Sequence, residues 1–154
     1  MGSHELKDIL LAEDNSNDVE LTLVVLHKNH IINPVVLVRD GAEMFDYLYR
    51  EGAFAQRKGG NPAFILLDLK MPRVDGLDVL RRVKSDARLQ SIPVIVLTSS
   101  REDRDLAEAY RLGVNAYVVK PLIFKEYVKA VSHLMVFWAL TNELAPESGG
   151  ERAP

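Results

Sequence analysis

Residues 64–76 read FILLDLKMPRVDG, and this stretch places a carboxylate directly after a run of apolar side chains. The run Phe64–Leu67 has the length and composition of a strand that is buried on both faces. Burial penalises an ionised carboxylate, so Asp68 at the end of this strand needs a compensating partner. The Pro-containing turn that follows ends at Gly76, where a helical pattern begins.

Four further apolar runs resemble the first in length and in their content of Val, Ile and Leu. Amphipathic segments separate the five runs, and this alternation predicts a doubly wound α/β domain with a five-stranded parallel sheet. The other predicted strands are Ile9–Ala12, Val35–Val38, Val94–Leu97 and Ala116–Val119. The predicted helices cover residues 16–29, 41–51, 76–86, 102–112 and 122–144.

The composition describes a single soluble domain. The chain has 154 residues, of which 47% are hydrophobic and 27% charged, with a net charge of −3 and no cysteine. This balance gives no electrostatic footprint for nucleic acid or an anionic membrane, and no apolar run has the roughly 18 residues of a membrane span. The lack of cysteine excludes disulfides, thiolate metal sites and a cysteine nucleophile. We expect a cytoplasmic protein with one domain over residues 6–145 and a disordered tail over 146–154.

Polar residues follow four of the five predicted strands, at the edge where ligands gather in open α/β sheets. Clustered carboxylates repel one another unless a cation lies among them. Mg²⁺ is the natural candidate, since it prefers oxygen ligands and takes one or two carboxylates together with water and phosphate. The pattern therefore predicts a Mg²⁺ site beside an ammonium group. The residues concerned are Glu13 and Asp14 after the first strand, Asp68 after the third, Thr98 after the fourth and Lys120 after the fifth.

Each of these residues also has a purely structural interpretation. Asp14 could cap the first helix, as Ser16 or Asn15 could, and Asp68 could cap a turn. The Thr98 hydroxyl could be satisfied by backbone, and Lys120 could be a solvated surface charge. Such independent roles would have to coincide at the ends of four strands, so we favour a common site.

The segments AEDN (12–15), LLDLKMPRVDG (66–76), LTSS (97–100) and VVKP (118–121) together resemble the receiver domain of two-component response regulators. The resemblance extends from residue 8 to about residue 135. It implies a flavodoxin-like fold with strand order 2-1-3-4-5. It also implies a phosphoprotein that takes a phosphoryl group from a histidine kinase, is not an enzyme, and assists its own phosphorylation and dephosphorylation.

The resemblance assigns a role to each residue of the predicted site. Asp68 corresponds to the phosphoacceptor, which becomes a 4-aspartylphosphate, and Lys120 to the lysine that contacts the phosphoryl group. Asp14 corresponds to a direct Mg²⁺ ligand, Glu13 to an acid that acts through water, and the backbone carbonyl of Lys70 to a third protein ligand. The physical chemistry agrees, because phosphoryl transfer needs a positioned nucleophile and neutralised phosphoryl oxygens.

Two further residues correspond to the conformational switch of the family. The Thr98 hydroxyl is expected to turn towards the phosphoryl group, and Tyr117 is expected to move from an exposed to a buried position. The alternative for Tyr117 is a half-buried strand aromatic that never moves. A two-state change of this kind is biased by the charge that phosphorylation adds.

The predicted last helix is longer than the strands it would cover. Its apolar stripe continues beyond the sheet to Phe137 and Trp138, which predicts a partner surface, most simply in a homodimer. The alternative is that Trp138 folds back onto its own domain. This ending resembles the single-domain response regulators associated with bacterial phytochromes, which implies a bacteriophytochrome kinase as phosphodonor and no output domain.

Two other functions remain as alternatives. One is a docking pseudo-receiver that is not phosphorylated, although the presence of all the acids, Thr98 and Lys120 disfavours it. The other is a Mg²⁺-dependent phosphohydrolase with an aspartate nucleophile. Such enzymes commonly carry a second acid two residues after the nucleophile, where this chain has Lys70.

Overall fold

The computed structural model describes residues 6–71, 75–99 and 102–120, together with 125–126, 128–129 and 132–133. Five parallel strands form one sheet in the order β2-β1-β3-β4-β5. The strands are β1 (Ile9–Ala12), β2 (Val35–Val38), β3 (Phe64–Leu67), β4 (Val94–Thr98) and β5 (Ala116–Val119). The predicted flavodoxin-like topology is confirmed, and β4 extends one residue further than predicted, to include Thr98.

The complete α-helices within the described ranges follow the predicted pattern. They are α1 (Ser16–Lys28), α2 (Gly41–Tyr49), α3 (Gly76–Ser85) and α4 (Asp103–Arg111), and a short 3-10 helix covers Gly52–Phe54. Residues 125–126, 128–129 and 132–133 are helical, in agreement with the predicted last helix. The rest of that prediction, including Phe137 and Trp138, and the predicted tail lie outside the described residues. The domain limits at residues 6 and 145 stay predictions.

The side chains of the strands alternate between the two faces of the sheet, and each face carries its own core. On one face, Leu10 and Leu67 pack in a cluster with buried residues of α2, α3 and α4. On the other face, Leu11 and Leu66 pack with buried residues of α1, and the partly buried Val128 adjoins them. A sheet covered on both sides explains why the strands read as continuous apolar runs.

Asn15 begins α1, because its side-chain oxygen accepts hydrogen bonds from the amides of Asn17 at 2.9 Å and Asp18 at 3.1 Å. The carboxylate of Asp14 therefore does not have the capping role that was its structural alternative. With this cap, α1 begins only a few residues after the end of β1. The first turn of the helix is thus held close to the end of the strand.

The turn between β3 and α3 depends on the absence of a side chain at Gly76. Its amide donates to the Leu69 carbonyl at 3.1 Å. A Cβ atom at this position would lie 2.4 Å from Cα of Leu69. Gly76 therefore lets α3 begin directly against the backbone that follows Asp68.

Lys84 joins several segments at the opposite edge of the sheet, where β4 and β5 begin. The Lys84 Nζ donates to the carbonyls of Ile92 at 2.8 Å and Gln90 at 3.3 Å, and to Oδ1 of Asn115 at 3.0 Å. These contacts join α3 to the segments that lead into β4 and β5. Burial lowers the pKa of the Lys84 ammonium to about 8. Across the described ranges, no helix combines the length and apolar character needed to cross a membrane.

Candidate functional site

Backbone hydrogen bonds between strand ends place the candidate residues side by side. The Asp68 amide donates to the carbonyl of Ala12 at 3.1 Å, so Asp68 lies next to the end of β1. The Lys120 amide donates to the carbonyl of Thr98 at 2.8 Å, so Lys120 lies beside the end of β4. Glu13 directly follows β1. The predicted convergence at one edge of the sheet is therefore present.

Three carboxylates meet at this edge. Oxygen atoms of Glu13, Asp14 and Asp68 all lie within 4.8 Å of one another. Glu13 and Asp68 are buried, with 3% and 8% of their surfaces exposed, whereas Asp14 is exposed. This oxygen-only donor set, open to water on one side, has the chemistry that a hard divalent cation requires.

Lys120 lies among the acids and contacts three carboxylates. Its Nζ is 2.6 Å from Oε1 of Glu13, 3.1 Å from Oδ2 of Asp68 and 2.7 Å from Oδ2 of Asp18. Only 12% of its side chain is exposed, so the interpretation of Lys120 as a solvated surface charge is wrong.

Asp18 was not among the predicted site residues. It is the third residue of α1, and its side chain reaches Lys120 because the Asn15 cap holds the first helical turn near the end of β1. A signal was present in the segment EDNSND, where an acid follows Asp14 by four residues. That segment reads simply as an acidic turn until the end of β5 is known to lie opposite it.

The ionisation of the site follows from burial and from these contacts. Burial raises the pKa of Glu13 to about 7; the bond from Lys120 opposes this shift, and the nearby Asp68 adds to it. Burial also disfavours the charge on Lys120. The hydrogen bonds to Asp18 and Glu13 and the charge of Asp68 outweigh that effect and raise the pKa of Lys120 above its usual value. The ammonium is therefore the fixed positive charge of the site.

The two functional groups of Lys70 point to different partners. Its backbone amide donates to Oδ1 of Asp68 at 3.0 Å, which fixes one carboxylate oxygen and makes the turn contact that was the structural alternative for Asp68. Its ammonium lies 3.8 Å from Oδ2 of Asp105, a residue of α4 whose side chain is 10% exposed. Lys70 thus connects the segment after Asp68 with the first turn of α4.

The predicted switch residues occupy neighbouring strands. Thr98 is completely buried at the end of β4. Tyr117 is half-buried in β5, pairs in register with Val96, and packs against the larger core cluster. The predicted interface residues Phe137 and Trp138 lie outside the described part of the chain.

Comparison with known proteins identifies the family. The response regulator receiver domain matches residues 9–132. The chain belongs to the response regulator receiver family. Members of this family are phosphoacceptor regulators rather than classical enzymes, and they bind divalent metal ions.

The receiver resembles regulators from phytochrome signalling. The response regulator Rcp1 of Synechocystis sp. is 36% identical over 142 residues, which cover 92% of this chain and 95% of Rcp1. A solved structure of the phosphorylated cyanobacterial phytochrome response regulator RcpA has a TM-score of 0.84 at 38% identity, covering 92% of this chain and 99% of RcpA. The bacteriophytochrome response regulator RtBRR is 57% identical with a TM-score of 0.74, covering 93% and 86% of the two chains.

Proposed function

We propose that this receiver accepts a phosphoryl group on Asp68 from the phosphohistidine of a sensor kinase. The contact between Asp68 and the Lys120 ammonium, within an acidic cluster at the edge of the sheet, is the observation that carries the proposal. Burying an ionised carboxylate costs free energy unless hydrogen-bond donors or positive charges compensate it. Here both oxygens of Asp68 have donors, namely the Lys70 amide and the Lys120 ammonium, and the cluster opens to solvent at Asp14.

In the proposed transfer, an oxygen of the Asp68 carboxylate forms a bond to phosphorus. The bond between phosphorus and the histidine nitrogen breaks, and the imidazole keeps the electron pair. Hydrolysis later reverses the modification, as water attacks phosphorus and the carboxylate leaves. Lys120 is placed to neutralise charge on the phosphoryl oxygens, and positioned charge of this kind is the main help that phosphoryl transfer needs.

The residues present fit a Mg²⁺ ion, which would be held by Asp14, Asp68 and the Lys70 carbonyl, with Glu13 acting through water. When bound, the ion supplies positive charge that lowers the repulsion between the carboxylates and the incoming phosphoryl group. The relative Rcp1 has been solved in a Mn²⁺-bound form, at 36% identity and a TM-score of 0.84, which supports a divalent ion here.

The conformational response is proposed to pass through Thr98 and Tyr117. Thr98 lies at the end of β4, and its carbonyl is already bonded to the Lys120 amide. A phosphoryl group on Asp68 offers new acceptor oxygens to the Thr98 hydroxyl. Tyr117 is half-buried next to this strand, so movement of Thr98 changes the space available to the ring.

Labelling of Asp68→Asn tests the nucleophile. With acetyl phosphate and Mg²⁺, the wild-type protein should gain one phosphoryl group by intact mass, and Asp68→Asn should gain none, because the amide does not attack phosphorus. Asp103→Asn is the matched control, since it removes one exposed carboxylate from α4 and should label like the wild type. Labelling of Asp68→Asn to wild-type stoichiometry would falsify the proposal.

The phosphodonor is proposed to be a bacteriophytochrome histidine kinase in the cytoplasm. The support is the similarity to RcpA, a cyanobacterial phytochrome response regulator, and to RtBRR, a bacteriophytochrome response regulator. Phosphotransfer from a panel of autophosphorylated kinases, including a red-light-responsive phytochrome, tests this assignment. Equal or faster transfer from unrelated kinases would contradict it.

The receiver is also proposed to form a homodimer through its C-terminal helix. The support is the apolar stripe that continues to Phe137 and Trp138 in the sequence. Aromatic side chains are favoured as anchors of protein interfaces.

A further inference from the structure

Asp18 holds one of the three hydrogen bonds of the Lys120 ammonium. It comes from the first turn of α1, 102 residues before its partner, and its Oδ2 lies 2.7 Å from Nζ. Its side chain is 30% exposed, compared with 4% for Glu13 and 10% for Asp68. Of the three acids around Lys120, Asp18 is therefore the one most accessible to water.

The ammonium group has no donor left for a new ligand. A lysine side chain carries three N–H bonds. In this structure Glu13, Asp18 and Asp68 are its three acceptors, at 2.6, 2.7 and 3.1 Å. A phosphoryl oxygen on Asp68 can therefore gain an N–H bond from Lys120 only if one of these carboxylates gives one up.

The exposures decide which carboxylate is released. Glu13 would be left buried without its countercharge, which is costly. Asp68 carries the phosphoryl group, so its contact with Lys120 does not hold the ammonium away from the new acceptor. Asp18 can exchange its lysine contact for water at little cost, because partly exposed ion pairs are weak.

We infer that Asp18 is a positioning residue for the phosphotransfer. It holds Lys120 towards α1 while Asp68 is unmodified, and it gives the ammonium up to the phosphoryl group when Asp68 is phosphorylated. The inference rests on the proposed function. It adds a second outcome of phosphorylation, which is that the first turn of α1 loses its link to the end of β5.

Beryllofluoride, a mimic of the phosphoryl group, tests the inference at equilibrium in the presence of saturating Mg²⁺. Asp18→Asn should bind the mimic about three- to tenfold more tightly than wild type, because its resting state no longer holds the ammonium with a full charge. Glu20→Gln, which removes an exposed carboxylate further along α1, is the matched control and should bind within about twofold of wild type.

A second readout uses the wild-type protein and does not depend on a variant. The carboxyl ¹³C resonance of Asp18 should shift when beryllofluoride binds, while that of Glu20 should not. An unchanged Asp18 resonance, an unchanged affinity in Asp18→Asn, or an equal gain in Glu20→Gln would each overturn the positioning role. Wild-type protein that binds no beryllofluoride and takes no label from acetyl phosphate would instead remove the proposed function, and this inference with it.

Discussion

At the scale of single residues, Lys120 is the countercharge of the site. One side chain from the end of β5 contacts acids that come from β1, α1 and β3. A buried cation in this position makes the proximity of the three carboxylates tolerable. Its role is therefore structural as well as chemical.

Replacing Lys120 should show this stabilising role directly. Lys120→Met should lower the free energy of unfolding by on the order of 3 kcal/mol, because the buried acids lose their partner. Mg²⁺ should restore part of the loss, since a divalent ion supplies another countercharge. Urea unfolding with and without Mg²⁺ measures both effects.

The control for this prediction is Lys28→Met, which removes an exposed ammonium at the end of α1 and should change stability by less than about 1 kcal/mol. A loss in Lys120→Met no larger than in this control would show that the acids do not need the ammonium.

Sequence reasoning reached most of the site but not all of it. Glu13, Asp14, Asp68, Thr98 and Lys120 could be predicted because each stands at the end of a strand, and the ends of parallel strands share one edge. Asp18 could not be predicted in the same way. It belongs to a helix, and its contact with Lys120 depends on how the cap at residue 15 aims the first helical turn.

At the scale of secondary-structure elements, α3 is held at both ends by specific contacts. Gly76 at its start lies against the backbone of Leu69. Lys84 near its end bonds the segments before β4 and β5. Helical periodicity in the sequence predicts the span of α3. It does not predict either of these contacts, which fix the position of the helix.

Substitution of Gly76 should disturb the turn that follows Asp68. Gly76→Ala should lower the free energy of unfolding by about 1–3 kcal/mol, since its Cβ would overlap the backbone of Leu69. Gly59→Ala is a useful comparison, because Gly59 has a φ of +91° with open space around it, so its cost of about 1 kcal/mol comes from the backbone alone. Thermal or urea unfolding ranks the two, and a smaller loss for Gly76→Ala would contradict the close packing.

The buried Lys84 predicts a dependence of stability on pH. Its pKa of about 8 in the folded protein lies below the ordinary value of 10.5 for a lysine side chain. Between these values the unfolded chain binds more protons than the folded chain, so the free energy of unfolding should rise with pH. Urea unfolding from pH 7.5 to 10 measures the slope.

Lys84→Met should remove this rise, whereas Lys28→Met at an exposed position should keep it. The comparison is cleanest below about pH 10, where tyrosines remain protonated. A wild-type stability that is flat or falls over this interval, with no difference from Lys84→Met, would show that Lys84 keeps an ordinary pKa.

At the scale of the whole molecule, the fold follows from a simple pattern. Apolar runs without alternation predict strands covered on both sides, and the two core clusters show that both sides are indeed covered. The ends of α1, α2, α3 and α4 were predicted to within one or two residues. The differences arise where caps decide the boundary, as at Asp86, which ends α3, and at Arg50, which ends α2 in a left-handed conformation.

The proposed dimer makes a prediction at this scale. Trp138→Ala should shift the protein from dimer towards monomer, because a large aromatic anchor contributes strongly to an interface. Sedimentation velocity over a dilution series, with and without beryllofluoride, measures the change. Tyr110→Ala is the control, since it removes an exposed aromatic from α4 instead. A dimer that persists unchanged in Trp138→Ala would argue against the C-terminal helix as the interface.

The contacts of Lys120 with acids that precede it in the chain also bear on how the protein is made. A ribosome releases the chain from its amino terminus, so Glu13, Asp18 and Asp68 emerge before the ammonium that neutralises them. A nascent sheet that holds only β1, β2 and β3 brings Glu13 and Asp68 together uncompensated. Addition of β5 and Lys120 removes that repulsion, so the emergence of residue 120 from the ribosome should mark the point at which the nascent domain becomes stably folded.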